Sequence, residues 1–194
     1  MSKHGSRGER TPQQIQDAAR QVALEWTRLA DSAHELSIAN GARTARDQAA
    51  FDSCIVHSRC LINFLCGNTR GEWKAIDIQP IDFLGFAWFP QDGGWEGDRS
   101  HFDRDLRGRM AVFNREVFHL SWNRVTNDEV IIWSIVRLAM LVGHAMSLFI
   151  IELQKIEHPT LPTFELAYTH FYAESLGVPD GFQETRPILA PART

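Results

Sequence analysis

Lysine, cysteine and long apolar runs are all scarce in this chain of 194 residues. Lys3, Lys74 and Lys155 are its only lysines, the rest of its 20 basic residues are arginine, and the formal net charge is −4. An acidic balance of this kind supplies no broad basic face for nonspecific nucleic-acid binding and leaves room only for local patches. The cysteines are three, Cys54, Cys60 and Cys66. Within one helix their six-residue spacing turns each about 600° from the last, off any shared face. An odd count argues against a disulfide framework, and the spacing lacks the close pairs of a zinc site, so reduced, packing cysteines are expected. The longest charge-free apolar run, 138–151, is broken by His144 and Ser147. It falls short of the roughly 20 residues a membrane span needs. The first twenty residues hold no apolar run either, so the expectation is a cytoplasmic chain with no membrane partner.

Other absences narrow the chemistry. No segment alternates with period two and no internal repeat occurs, which removes sheets and solenoids from consideration. There is no Gly-x-x-x-x-Gly-Lys, no Gly-x-Gly-x-x-Gly, and no serine in a nucleophile elbow.

What is present is helical periodicity. Thr11 followed by Pro12 marks a helix start, a hydroxyl to cap free amides and a proline where no N–H is needed. Ile15, Val22, Trp26, Leu29, Ala33 and Leu36 form one stripe behind it, and Asn40-Gly41 supplies a stop. A second helix is expected from Arg43 to Cys66, with Phe51, Ile55, Ile62 and Leu65 on one face and Gly67-Asn68 ending it, so that the two form an antiparallel hairpin. A third is expected from about Asp103, where Leu106, Met110, Phe113, Val117 and Leu120 step by four and three. Thr126-Asn127-Asp128-Glu129 is a capping box ahead of an apolar run to Leu153, the helix expected to be the most buried. A last helix is expected from Thr163 to Leu176.

Residues 67–102 connect the second and third helices. They hold seven aromatic residues, Trp73, Phe83, Phe86, Trp88, Phe89, Trp95 and Phe102, about twice the density of the whole chain. So aromatic a connection has to pack on something, either its own bundle or a partner or ligand.

Several polar constellations stand out. On the second helix Arg59 and Asn63 share a stripe, with His57 on a different face; on the third, Arg115, His119 and Asn123 align. If the two helices face each other, Arg59, Asn63 and His119 meet in a polar pocket that either holds a phosphate or carboxylate or serves as a hydrogen-bond network fixing register. Glu116-x-x-His119 is half of a di-iron carboxylate motif, but no second half-site accompanies it, so no metal and no cofactor are expected. Arg28-x5-His34 and Arg137-x6-His144 both fit the Arg-x(4–6)-His motif of ribonucleases in the higher-eukaryote-and-prokaryote nucleotide-binding (HEPN) family, although an arginine-rich chain yields about two such matches by composition alone. Arg137 and His144 fall on one face of the most buried helix, where a lone charge is costly, and so call for a partner or a role.

The stretches His57-Ser58-Arg59-Cys60-Leu61-Ile62-Asn63-Phe64, Ile81-Asp82-Phe83 and His119-Leu120-Ser121-Trp122-Asn123-Arg124 resemble a pattern of small bacterial all-helical proteins of uncharacterised role. Their arrangement is similar to HEPN-like bundles, and the resemblance covers about residues 45 to 150. It implies an all-helical fold and points to His57, Arg59, His119 and Arg124 without assigning a reaction.

The sequence therefore predicts an all-α, four-to-five-helix bundle spanning residues 11–177, with a long aromatic-rich connection between helices 2 and 3 and disordered tails at 1–10 and 178–194. The expected function is a small cytoplasmic binding or assembly module. It is expected to be a homo-oligomer or to bind a partner protein, with an anionic ligand as a candidate occupant of its polar pocket. Candidate binding residues are His57, Arg59, Asn63, Arg115, His119, Arg124, Arg137 and His144. The alternative is a metal-independent HEPN-like ribonuclease of toxin or defence type acting on RNA, with His119 or His144 as acid or base and Arg59 or Arg137 stabilising the phosphate.

Overall fold

A computed structural model describes residues 9–38, 44–67, 74, 76–86 and 128–174. They form five helices: α1 (Pro12–Ser37), α2 (Ala45–Cys66), α3 (Ile81–Leu84), α4 (Asp128–Lys155) and α5 (Leu161–Glu174). No strand occurs among the described residues. The expected third helix from Asp103, residues 1–8 and 178–194 of the expected tails, and residues 68–73, 75 and 87–102 of the expected connection lie outside them.

Local chemistry explains where α1 and α2 begin. The Thr11 hydroxyl accepts the Gln14 N–H at 3.2 Å while the Gln14 side chain accepts the Thr11 N–H at 2.9 Å, closing a capping box in front of Pro12. Thr44 does the same with Asp47, at 3.1 and 2.8 Å, so α2 starts at Ala45 and not at Arg43 as its periodicity suggested. At the other end Gly67 adopts φ +79°, a left-handed conformation a side chain would resist, and its N–H bonds the Asn63 carbonyl at 3.0 Å. The last helical residue of α1 is Ser37, ahead of the expected stop at Asn40-Gly41, which lies outside the described residues.

Cross-links fix the directions of the helices. Glu35 pairs with Arg46, Ser32 with Ser53 and Glu25 with His57, so α2 runs antiparallel to α1, the expected hairpin. Gln16 donates to the Pro159 carbonyl and Asp31 meets His170, so α5 lies along α1 in the same direction. Tyr172 bonds Ser147 and Glu165 bonds Gln154, which makes α5 antiparallel to α4.

Two aromatic nests fill the core. Trp26, fully buried on α1, packs against Phe171 and Tyr168 of α5 with ring centroids 5.7 and 6.2 Å apart. Phe64, Phe83, Phe149 and Phe164 form the second nest edge to face, at 5.2 to 6.0 Å, a geometry in which the positive edge of one ring meets the negative face of the next. Phe83 belongs to α3, so its ring pins this short helix to the bundle. The turn between α4 and α5 closes the same nest: His158 packs on Phe83, and burial holds its imidazole below the usual histidine range.

Helix α4 carries the largest buried face, from Ile135 to Leu153. The stretch Ile135–Lys155 is long and apolar enough to cross a membrane by length and composition, and 67% of it is buried within the protein, as for a core helix. Arg137 corrects one expectation. The sequence places it on a buried face with His144, yet its side chain is exposed while Val136 and Leu138 on either side are buried. Successive helical residues point about 100° apart, so one position between two core residues still opens to solvent, where its charge is hydrated.

Candidate functional site

The α1–α2 seam carries the most organised polar cluster, and Glu25 is its centre. Its Oε1 accepts from Gln21 Nε2 at 2.8 Å, one turn back on α1, and its Oε2 accepts from His57 Nδ1 at 2.6 Å across the seam. Both partners of that interhelical bond are largely covered, with side chains 13% and 15% exposed. His57 and Cys60 lie one turn apart on α2, which brings the Cys60 thiol to the same carboxylate. Burial, then the Glu25 charge and hydrogen bond, push the Cys60 thiol up, so it is protonated at neutral pH.

Beside this cluster lies an open hollow of about 280 Å³. Val22, Leu61, Phe64 and Ile78 provide its apolar surface, and Gln21, Glu25, Cys60, Asn63 and Asp77 its polar edge. A second hollow of about 360 Å³ continues along α1 past Gln14, Ile15, Asp17 and Ala18 toward Arg10, with Ile76 and Asp82 on the far side. The two share Gln21, Asp77 and Ile78 and so form one cleft. One wall is α1; the other is the segment at 76–82. That wall is stiffened by its own carboxylates, Asp77 accepting the Lys74 N–H at 2.6 Å and Asp82 the Gln79 N–H at 2.8 Å. Buried Phe83 and Leu84 then anchor it to the core.

The residues singled out in the sequence are distributed unevenly around this cleft. His57 bonds the carboxylate at its inner edge, and Asn63, exposed, lines it. Arg59 is exposed and lines neither hollow. Arg137 is exposed and His144 half-buried on α4, away from the cleft lining. Arg115, His119 and Arg124 lie outside the described residues, so the expected meeting of Arg59, Asn63 and His119 does as well. Of the cysteines, Cys54 and Cys66 are buried as expected; Cys60 is exposed, a correction to its reading as a packing residue. Burial pushes the Cys54 thiol up to about 12.

Sequence reasoning missed the α1 wall. Gln14, Asp17, Gln21 and Glu25 step by three, four and four, a polar stripe as regular as the apolar one that drew attention away from it. Among the described residues no group of three histidine, cysteine or acidic side chains is placed to hold a metal ion. No family model, curated protein or solved structure matches the chain. Fold and site alone thus define its class, an all-helical domain with an open, amphipathic cleft.

Proposed function

We propose that this chain is a binding or assembly module, and that the cleft between α1, α2 and the segment at 76–82 is where it holds its partner. The observation that carries this reading is the continuity of the two hollows. Together they offer volume in the range of small-ligand sites, an apolar floor and a rim of fixed polar groups. A thiol kept protonated argues for a contact surface at Cys60 in preference to a nucleophile. The lining gives little support to an anionic ligand, since Arg59 stands outside it and carboxylates outnumber the one arginine.

The test is to fill the cleft. Gln21 is exposed on α1 and belongs to both hollows, so Gln21→Trp obstructs them while leaving the buried stripe untouched. Affinity capture with the wild type and with a Gln21→Trp variant of unchanged melting should give a partner that only the wild type retains. Equal retention by both would contradict the assignment of the cleft. RNA incubated in EDTA should stay intact with the wild type; cleavage lost in folded His144→Ala would establish the ribonuclease alternative instead.

A further inference from the structure

We propose that His158, in the turn between α4 and α5, is an acid-sensitive latch: its neutral ring holds α3, and through it the cleft wall at 76–82, against the bundle, and its protonation loosens that wall. The wall borders the cleft, so the latch would govern access to it, but the latch is a property of the wall and is tested there.

The turn is built to hold this ring. Glu157 takes φ +50°, a left-handed conformation that L side chains resist, and its N–H bonds the Gln154 carbonyl at 3.1 Å while the His158 N–H bonds that of Leu153 at 3.0 Å, closing the end of α4. Two residues on, Thr160, only 1% exposed, turns both its N–H and its hydroxyl back onto His158 Nδ1, at 3.3 and 2.8 Å. A backbone N–H can only donate, so Nδ1 is the nitrogen without a proton and the ring is neutral. The imidazole packs on Phe83 at 6.0 Å with the ring planes 69° apart. Among the described residues every ring contact of α3 passes through Phe83, to Phe64, Phe149, Phe164 and His158. Of those four partners only His158 can change its charge.

A proton on Nδ1 would face the Thr160 N–H and leave a half-buried cation without a carboxylate. The charged groups on the elements that meet this turn are engaged elsewhere. Asp82 of α3 accepts the Gln79 N–H, Glu152 and Lys155 of α4 pair with each other, Glu165 of α5 accepts from Gln154, and Asp17 and Arg20 of α1 pair together. Glu157, beside the ring in sequence, is exposed. Burial therefore acts unopposed and holds the imidazole below its ordinary 6.5, so the loosened state, with the ring in water, takes up the proton more readily. The latch is complete above pH 6.5, and its hold is lost progressively as pH falls below that value.

The test is native hydrogen exchange of the full-length protein at about pH 7.5 and about pH 5.5, corrected for intrinsic exchange rates. One proton can shift an opening equilibrium by at most about tenfold per pH unit, so protection at 76–86 and 156–164 should fall by about threefold to tenfold at the lower pH, with α1 and α2 unchanged. His158→Asn offers an acceptor oxygen but no titratable group, and should abolish this pH response whatever its effect on the level of protection. A second reading needs no variant: the His158 ring protons of the wild type, followed by NMR, should titrate below pH 6.5. Protection that is the same at both pH values, a response that persists in His158→Asn, loosening spread evenly over the helices, or titration of His158 at or above 6.5 each overturns the latch. Partner capture enters none of these readouts, so the latch and the binding module fail separately.

Discussion

Gly143 shows how closely α4 and α5 approach. A Cβ built there would sit 2.3 Å from the ring of Phe171, itself buried against Trp26, so the ring has nowhere to retreat. Gly143→Ala should therefore lower stability by about 1–3 kcal/mol despite the higher helix propensity of alanine. A compensating Phe171→Leu in the same chain should recover part of the loss of Tm, which separates overpacking from any effect on α4 alone. The cysteines make a second prediction at this scale. Cys54 and Cys66 are buried and Cys60 is exposed, so iodoacetamide should alkylate one thiol of the native protein and three after denaturation. Because partial burial of the thiol, and then Glu25, raise Cys60 above the ordinary value of 9.0, the native reaction should be slower at pH 7 than that of a free cysteine and should accelerate as pH rises past 9. Fast alkylation at neutral pH would contradict the protonated thiol beside Glu25. Rotation around the helix put the three cysteines on three different faces but did not say which face opens to solvent, and it could not place Cys60 beside Glu25, since that neighbour comes from a different helix.

The elements were most legible where a local signal and a long periodic run coincide. Thr11-Pro12 announces α1, Thr126 to Glu129 runs into the helix that the described residues enter at Asp128, and Gly67 ends α2. Thr44 does not stand out in the sequence, because Arg43 already fits the helical run, although Thr44 with Asp47 forms the box that sets the boundary. Thr44→Ala should cost about 1 kcal/mol and fray the first turn of α2, whereas Arg43→Ala should have little effect; urea denaturation of the two variants separates them. The reverse order would place the boundary at Arg43. Helix α3 had no such legibility. Four residues are too few for a 3.6-residue period to repeat, and Phe83 is buried because of Phe64, Phe149 and Phe164, rings that are distant in sequence. Helix α5 starts two residues before the expected Thr163, since the His158–Thr160 turn, with its 2.8 Å side-chain bond, prepares the first turn at Leu161.

At the scale of the molecule, an all-helical architecture was readable because apolar stripes recur with one period from Ile15 to Phe171. How the helices sit side by side was not. That α5 runs along α1 in the same direction depends on pairs such as Asp31 with His170, separated by most of the chain. The cleft is a product of this assembly. Its walls come from α1 and from a segment some sixty residues later, so a search for stripes within single helices found Asn63 at its edge and passed over Asp17, Gln21 and Asp77. The exposed Arg137 makes the complementary point: a charge on an apolar helix signals a site only if its position faces inward, which depends on the neighbours of that helix.

The central claim is that the cleft is where this protein is occupied. Hydrogen exchange of the wild-type protein, alone and saturated with a partner that Gln21→Trp fails to retain, reads that directly. Slowed exchange should concentrate at residues 14–25 and 76–82, with the α4 amides around Arg137 and His144 unchanged. Protection confined to α4, with the cleft exchanging as freely as before, would contradict the account.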